Sequence, residues 1–179
     1  MKILRQKEFG LFGFGKKKKE PQQKPIEYKC PSISDLPSNI QSSLRGVERV
    51  WKKPEVQKLL DELGQNLDST FKPFYPIVDQ KMAEHIYKTY IADYLQFQKF
   101  PEETMMYPLM WDTCRYDRAV LLCYDINTGK FWYLNEPDYD FEEATGIRVL
   151  RDFIKNSLEN LDTSVDPDLI KKIKKAFWI

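Results

Sequence analysis

An α+β fold is predicted: helices flanking a small antiparallel sheet, with an extended basic N-terminal arm. Three observations predict it. Helix-period apolar stripes occupy the stretch before residue 100 and the stretch after residue 144. Between them lie strand-like apolar runs around a turn sequence. No strand-helix-strand alternation is visible, so a parallel sheet is not expected.

The elements follow in order. Residues 1–25 form the arm and residues 26–179 a single globular domain. "IEYKCPSISDLPS" holds Pro31 and Pro37 and reads as an extended entry segment. A helix begins near Asn39, with Ile40, Leu44, Val47 and Trp51 on one face. Pro54 suits the first position of a second helix, whose buried side is Val56, Leu59, Leu60 and Leu63. Gly64 is expected to stop it. The stretch with Pro73 and Pro76 reads as an irregular link. A longer helix is expected over about Asp79 to Lys99, with a broad stripe from Met82 to Leu95, closed by Pro101.

The β signal is "RAVLLCYDINTGKFWYLNE", a hairpin over about 119–135. Asn and Gly in "DINTGK" supply the left-handed positions that a hairpin turn needs. Large residues on both faces of these strands imply cover from both sides. Two strands alone are marginal, so a third is expected at Thr104–Trp111, on an edge because of Pro108. After an acidic loop, Thr145 is expected to cap a helix with Ile147, Leu150, Phe153, Ile154, Leu158 and Leu161 inward. In the last helix Asp166 is the N-cap and Pro167 the first residue, with Leu169, Ile170, Ile173 and Phe177 on one face.

Charge is unevenly placed. The net charge is +1, but residues 1–30 carry nine Lys/Arg against three Glu, leaving −5 for the rest. A basic head on an acidic body suggests an arm that meets phosphate, lipid headgroups or an acidic protein face. Apolar residues make up 42% of the chain, enough for a folded core without disulfides. Cys30, Cys114 and Cys123 match no zinc or redox spacing and read as free thiols of a reducing cytosol. No signal peptide and no transmembrane helix is expected. Localisation is read as cytoplasmic, in the host cytoplasm or virion if the chain is viral.

The motifs exclude more chemistry than they include. No P-loop and no dinucleotide fingerprint occurs, and no cofactor is expected. With His85 as the one histidine, multi-histidine metal sites are ruled out, and no catalytic residue is assigned. Glu136, Asp138, Asp140, Glu142 and Glu143 form an acidic face, read as a solvated loop or a surface for a basic partner. Asp112, Asp117 and Asp125 would add metal ligands only if the fold converged them, so no metal residue is assigned. The arm places Phe9, Leu11, Phe12 and Phe14 against Lys16, Lys17, Lys18 and Lys19. Its lack of Arg/aromatic interleaving makes any nucleic-acid contact non-specific. At the other end, Lys171, Lys174, Phe177 and Trp178 are candidates for an anchor to a partner or to lipid.

Two resemblances accompany this reading. "GLFGFGKKKKEP" is similar to the apolar-then-polylysine starts of some phage head and connector proteins. "VLLCYDINTGKFWYLNE" followed by "IRVLRDFIKNSL" resembles the hairpin-then-helix end of a family that includes toxin-immunity proteins. The expected function is a non-catalytic assembly or binding protein whose arm docks on a larger assembly, such as a phage virion. A protein assembly is the expected partner; non-specific nucleic acid or an anionic membrane surface is an alternative for the arm. The alternative functions are an immunity-type protein neutralising a basic toxin through the acidic loop, and a carboxylate-metal enzyme.

Overall fold

In the computed structural model, residues 25–67, 72–115, 118–135, 140–144, 148–161 and 165–179 are described. The arm residues named above lie outside them. The chain enters as an extended strap, and a short 3-10 turn at Ile33–Asp35 is capped by Ser32 and Asp35. Helices α1 (Ser38–Trp51) and α2 (Pro54–Asn66) follow. Ile40 and Leu44 are buried on α1 as their spacing requires, while Val47 and Trp51 are half-buried. Gly64 does not stop α2. It is buried inside the last turn, and the helix runs to Asn66, closed by Leu67.

The expected long helix is present with one irregularity. It comprises α3 (Gln80–Ile86), a π-helical turn (Tyr87–Ile91) and α4 (Ala92–Phe97). The buried residues Ala83, Tyr87, Ile91 and Leu95 are spaced by four. Four residues overshoot an α-turn of about 3.6 residues, so this row would wind off the core. The wider π-turn absorbs the surplus and keeps the row on the sheet.

Five strands form one antiparallel sheet in chain order: β1 (Phe74–Pro76), β2 (Met106–Arg115), β3 (Arg118–Asp125), β4 (Lys130–Asn135) and β5 (Asp140–Ala144). The β3–β4 hairpin turns where expected, but of Asn127 and Gly129 only Gly129 is left-handed, at φ 71°, with its N–H bonded to Asp125 O at 2.8 Å. Two strands fall where loops were expected. β1 is only three residues long and ends in Pro76. β5 takes the second half of the acidic loop.

β2 is not an edge strand; it lies between β1 and β3. Pro108 is tolerated because β1 pairs only with Met110, Trp111 and Asp112, leaving Pro108 opposite Cys123 of β3 alone. A register shift between Pro108 and Met110 follows directly. The free edge of β1 is covered by α1, where Trp51 donates its indole N–H to Phe74 O at 2.8 Å.

Helices cover both faces of the sheet. On one side Tyr90 meets Trp111 of β2, and Phe100 meets Trp132 of β4 edge-on at 5.5 Å. On the other side lie α5 (Val149–Glu159) and α6 (Pro167–Phe177). There Phe153 stacks on Tyr133, and Phe177 meets Phe74 edge-on at 5.3 Å. Asp166 caps α6 through Asp168 N–H, as expected. The N-cap position of α5 is held by Arg148, while Thr145 lies outside the described residues. No helix among the described residues is long and apolar enough to cross a membrane.

Candidate anion-binding cleft

A cleft of about 760 Å³ opens where α1, the start of α5 and the end of α6 meet. Local periodicity builds its first wall. Asn39, Ser43, Gly46, Val50 and Lys53 recur every three or four residues along one face of α1 and its exit. Space lies open in front of Gly46, where a Cβ would meet no atom within 4 Å. The second wall is the first turn of α5, where Arg148 and Arg151 stand three apart on the same face. Buried Ile40, Ile154 and Phe177 supply an apolar floor.

The electrostatics are one-sided. Arg49, Lys53, Arg148 and Arg151 line the cleft, and no Asp or Glu does so among the described residues. Among the described residues Arg49, Lys53 and Arg148 make no ion pair; the pairs there are Lys52 with Glu48, Lys72 with Asp61, Lys130 with Glu143, and Glu159 with Lys155 and Lys174. Like charges converging over low-dielectric walls focus a positive potential. The positive end of the α5 dipole adds to it, because Arg148 provides no side-chain cap.

Trp178 stands at the rim, 66% exposed. It terminates α6 in the left-handed conformation, at φ 57° and ψ 45°. The Ile179 N–H reaches back to Lys174 O at 3.1 Å, closing the turn. The Arg151 guanidinium carbon sits 6.0 Å from the indole centroid, within cation–π range.

The other expected anchor residues separate. Phe177 is buried and serves the core. Lys174 binds Glu159 at 2.7 Å and ties α6 to α5; that hydrogen bond, with the lysine charge, pulls the Glu159 carboxyl below its usual range. Lys171 is exposed on α6, away from the cleft lining. Of these four, Phe177 contributes to the cleft floor and Trp178 stands at its rim, while neither lysine lines it.

The acidic face is dispersed as well. Glu136 and Asp138 lie outside the described residues. Asp140 and Glu142 fall in β5 opposite Asn135 and Tyr133, and exposed Glu143 pairs with Lys130 at 2.8 Å. Asp125 is committed to its own turn, accepting from Met105 N, Asn127 N and Thr128 Oγ1. Asp112 is buried beside Asn135, Asn156 and Asn160 in a hollow of about 220 Å³. Asp117 lies outside the described residues. Among the described residues no group of three or more His, Cys, Asp or Glu is placed to hold a metal ion.

Cys30 and Cys123 are held protonated at neutral pH. Burial, with Glu84 nearby, pushes Cys30 up to about 12. Burial likewise raises Cys123, Tyr87 and Tyr107. A thiol held protonated is a weak nucleophile. His85 is exposed on α3.

The cleft cations were not singled out by sequence reasoning. Arg49 and Arg148 are about a hundred residues apart, and each looks like an ordinary helix-surface charge. Compared with family models, curated proteins and solved structures, the chain finds no match.

Proposed function

We propose that this chain is a non-catalytic binding protein that docks on a larger anionic assembly, gripping it through the cationic cleft and the basic arm. The observation that carries the reading is the convergence of Arg49, Lys53, Arg148 and Arg151 over an apolar floor, with no acidic residue lining it among the described residues. Neutralising a polyanion is what such a concave patch does well. A virion that packages nucleic acid is one assembly that offers the required charge. The arm, with Lys16–Lys19, adds a second sequence-tolerant grip.

The test is a titration against inorganic polyphosphate, duplex DNA and anionic vesicles at low and physiological salt. The full chain, a chain lacking residues 1–25, and an Arg49→Gln/Arg148→Gln variant are compared. The double variant is expected to lose about tenfold or more in affinity for a polyanion, with a shallower salt dependence. Equal binding by the parent and the double variant would overturn the role of the cleft. Loss only on arm removal would leave the arm as the sole grip.

A further inference from the structure

We infer that the cleft takes a nucleoside phosphate, with the phosphate held by the arginines and the base stacked on Trp178. This rests on the binding reading above and names the ligand of the same site.

The cleft pairs two functions at one rim. Arg49 and Arg148 offer planar, multi-donor heads suited to phosphate oxygens. Trp178 offers a large exposed π-surface beside them. Arg151 stands over the indole, so a base on the opposite side would complete a guanidinium–indole–base stack. Interleaving of Arg with an aromatic is what the N-terminal arm lacks and what this cleft has.

A tryptophan in the left-handed region carries a strain that glycine would not. The position is a helix terminus, where glycine is the usual residue. The side chain is mostly exposed, so burial does not offset the strain. Within the chain the indole meets the Arg151 guanidinium, and its exposed surface is left for a ligand.

The apolar residues form a concave floor rather than a protruding edge, so a flat bilayer cannot reach them. A volume of about 760 Å³ lies in the range of small-molecule and cofactor sites. It suits one or two nucleotides better than a long helical partner.

The experiment measures binding of the full chain to four probes at fixed salt: a short single-stranded oligonucleotide, its abasic analogue of equal length, a nucleoside triphosphate, and inorganic triphosphate. Trp178→Ala is measured in parallel, and an acidic peptide serves as competitor. The oligonucleotide is expected to bind about tenfold more tightly than the abasic strand, and Trp178→Ala to erase that difference without weakening the abasic strand. Equal binding of the two strands by the parent chain would overturn the nucleoside assignment while leaving the anion-binding function intact. Binding of the acidic peptide with no binding of any phosphate probe would overturn it in favour of a protein partner. Loss of all binding would overturn both readings. The nucleoside triphosphate separates the sources: affinity equal to that of the oligonucleotide indicates a free nucleotide, and weaker affinity indicates a strand.

Discussion

Two helices of this protein end in the same way and are used differently. At the end of α4, Lys99 adopts φ 55°, and Phe100 N–H bonds back to Leu95 O at 2.9 Å. At the end of α6, Trp178 adopts φ 57°, and Ile179 N–H bonds back to Lys174 O at 3.1 Å. Both turns place a non-glycine residue in the left-handed region. The first is sealed: the Tyr28 hydroxyl lies 2.5 Å from Phe100 O and 3.3 Å from Leu95 O, donating to the carbonyls at this end, and Phe100 packs on Trp132. The second is open, its indole exposed beside the cationic cleft. One backbone device therefore locks the entry strap on one side of the sheet and presents a side chain on the other.

The contrast extends to ionisation. The sealed side keeps Cys30, Tyr87 and Cys123 neutral through burial. Its largest expected response is therefore to alkali. A thiol whose pKa is raised in the fold loses its proton first in the unfolded chain. For Cys30 the stabilisation is complete below about pH 9 and drains away as the pH rises toward about 12. Far-UV circular dichroism and urea unfolding from pH 7 to 12 should show stability falling across that window. The half-buried Cys30 and the buried Cys123 should resist alkylation at pH 8 until the chain unfolds. Stability that stays flat to pH 11 would mean the sealed side is wetter than the burial of these groups implies.

Adjacent residues on the open side sharpen the comparison next. Phe177 and Trp178 are neighbours of similar character in the sequence, and both were candidate anchors. Their environments differ: Phe177 is 3% exposed and Trp178 66%. Phe177→Ala should cost about 3–5 kcal/mol, the range for emptying a buried phenylalanine site. Trp178→Ala should stay within about 0.5 kcal/mol, as for an exposed position. Urea midpoints of the two variants measure both. A large loss at Trp178 would show that the indole supports folding and would weaken its assignment to a ligand.

Legibility in the sequence follows the same division. Helix α6 was readable because Asp166, Pro167 and the Leu169–Ile173–Phe177 stripe are local signals that packing does not contradict. The hairpin was readable because Gly129 supplies a conformation that few other residues tolerate. β1 was not, since a three-residue strand bounded by prolines exists only through its pairing with β2. β5 was hidden by its acidic composition, which an edge strand tolerates and a central strand would not. Pro108 misdirected the placement of β2, because its missing N–H matters only where a second partner strand reaches it. The cleft was least legible. Its charges come from α1 and α5, and nothing local marks Arg49 or Arg148 as partners.

The smallest effect separates the two helix ends most cleanly. Glycine relieves left-handed strain but adds freedom to the unfolded chain, so the net gain is below the full cost of strain. Lys99→Gly should therefore stabilise the protein by about 0.5–1 kcal/mol, leaving the Tyr28 bonds to main-chain oxygens in place. Trp178→Gly removes the same strain but also removes the contact with Arg151, worth about 0.5–1 kcal/mol at an exposed site. The two terms nearly cancel, so its urea midpoint should lie close to the parent's. The difference between the variants thus reads the Arg151–Trp178 contact in the absence of ligand. If Trp178→Gly gains as much stability as Lys99→Gly, the contact contributes nothing to the free protein. In that case the strained indole has no value to the fold, and its retention is explained by binding alone.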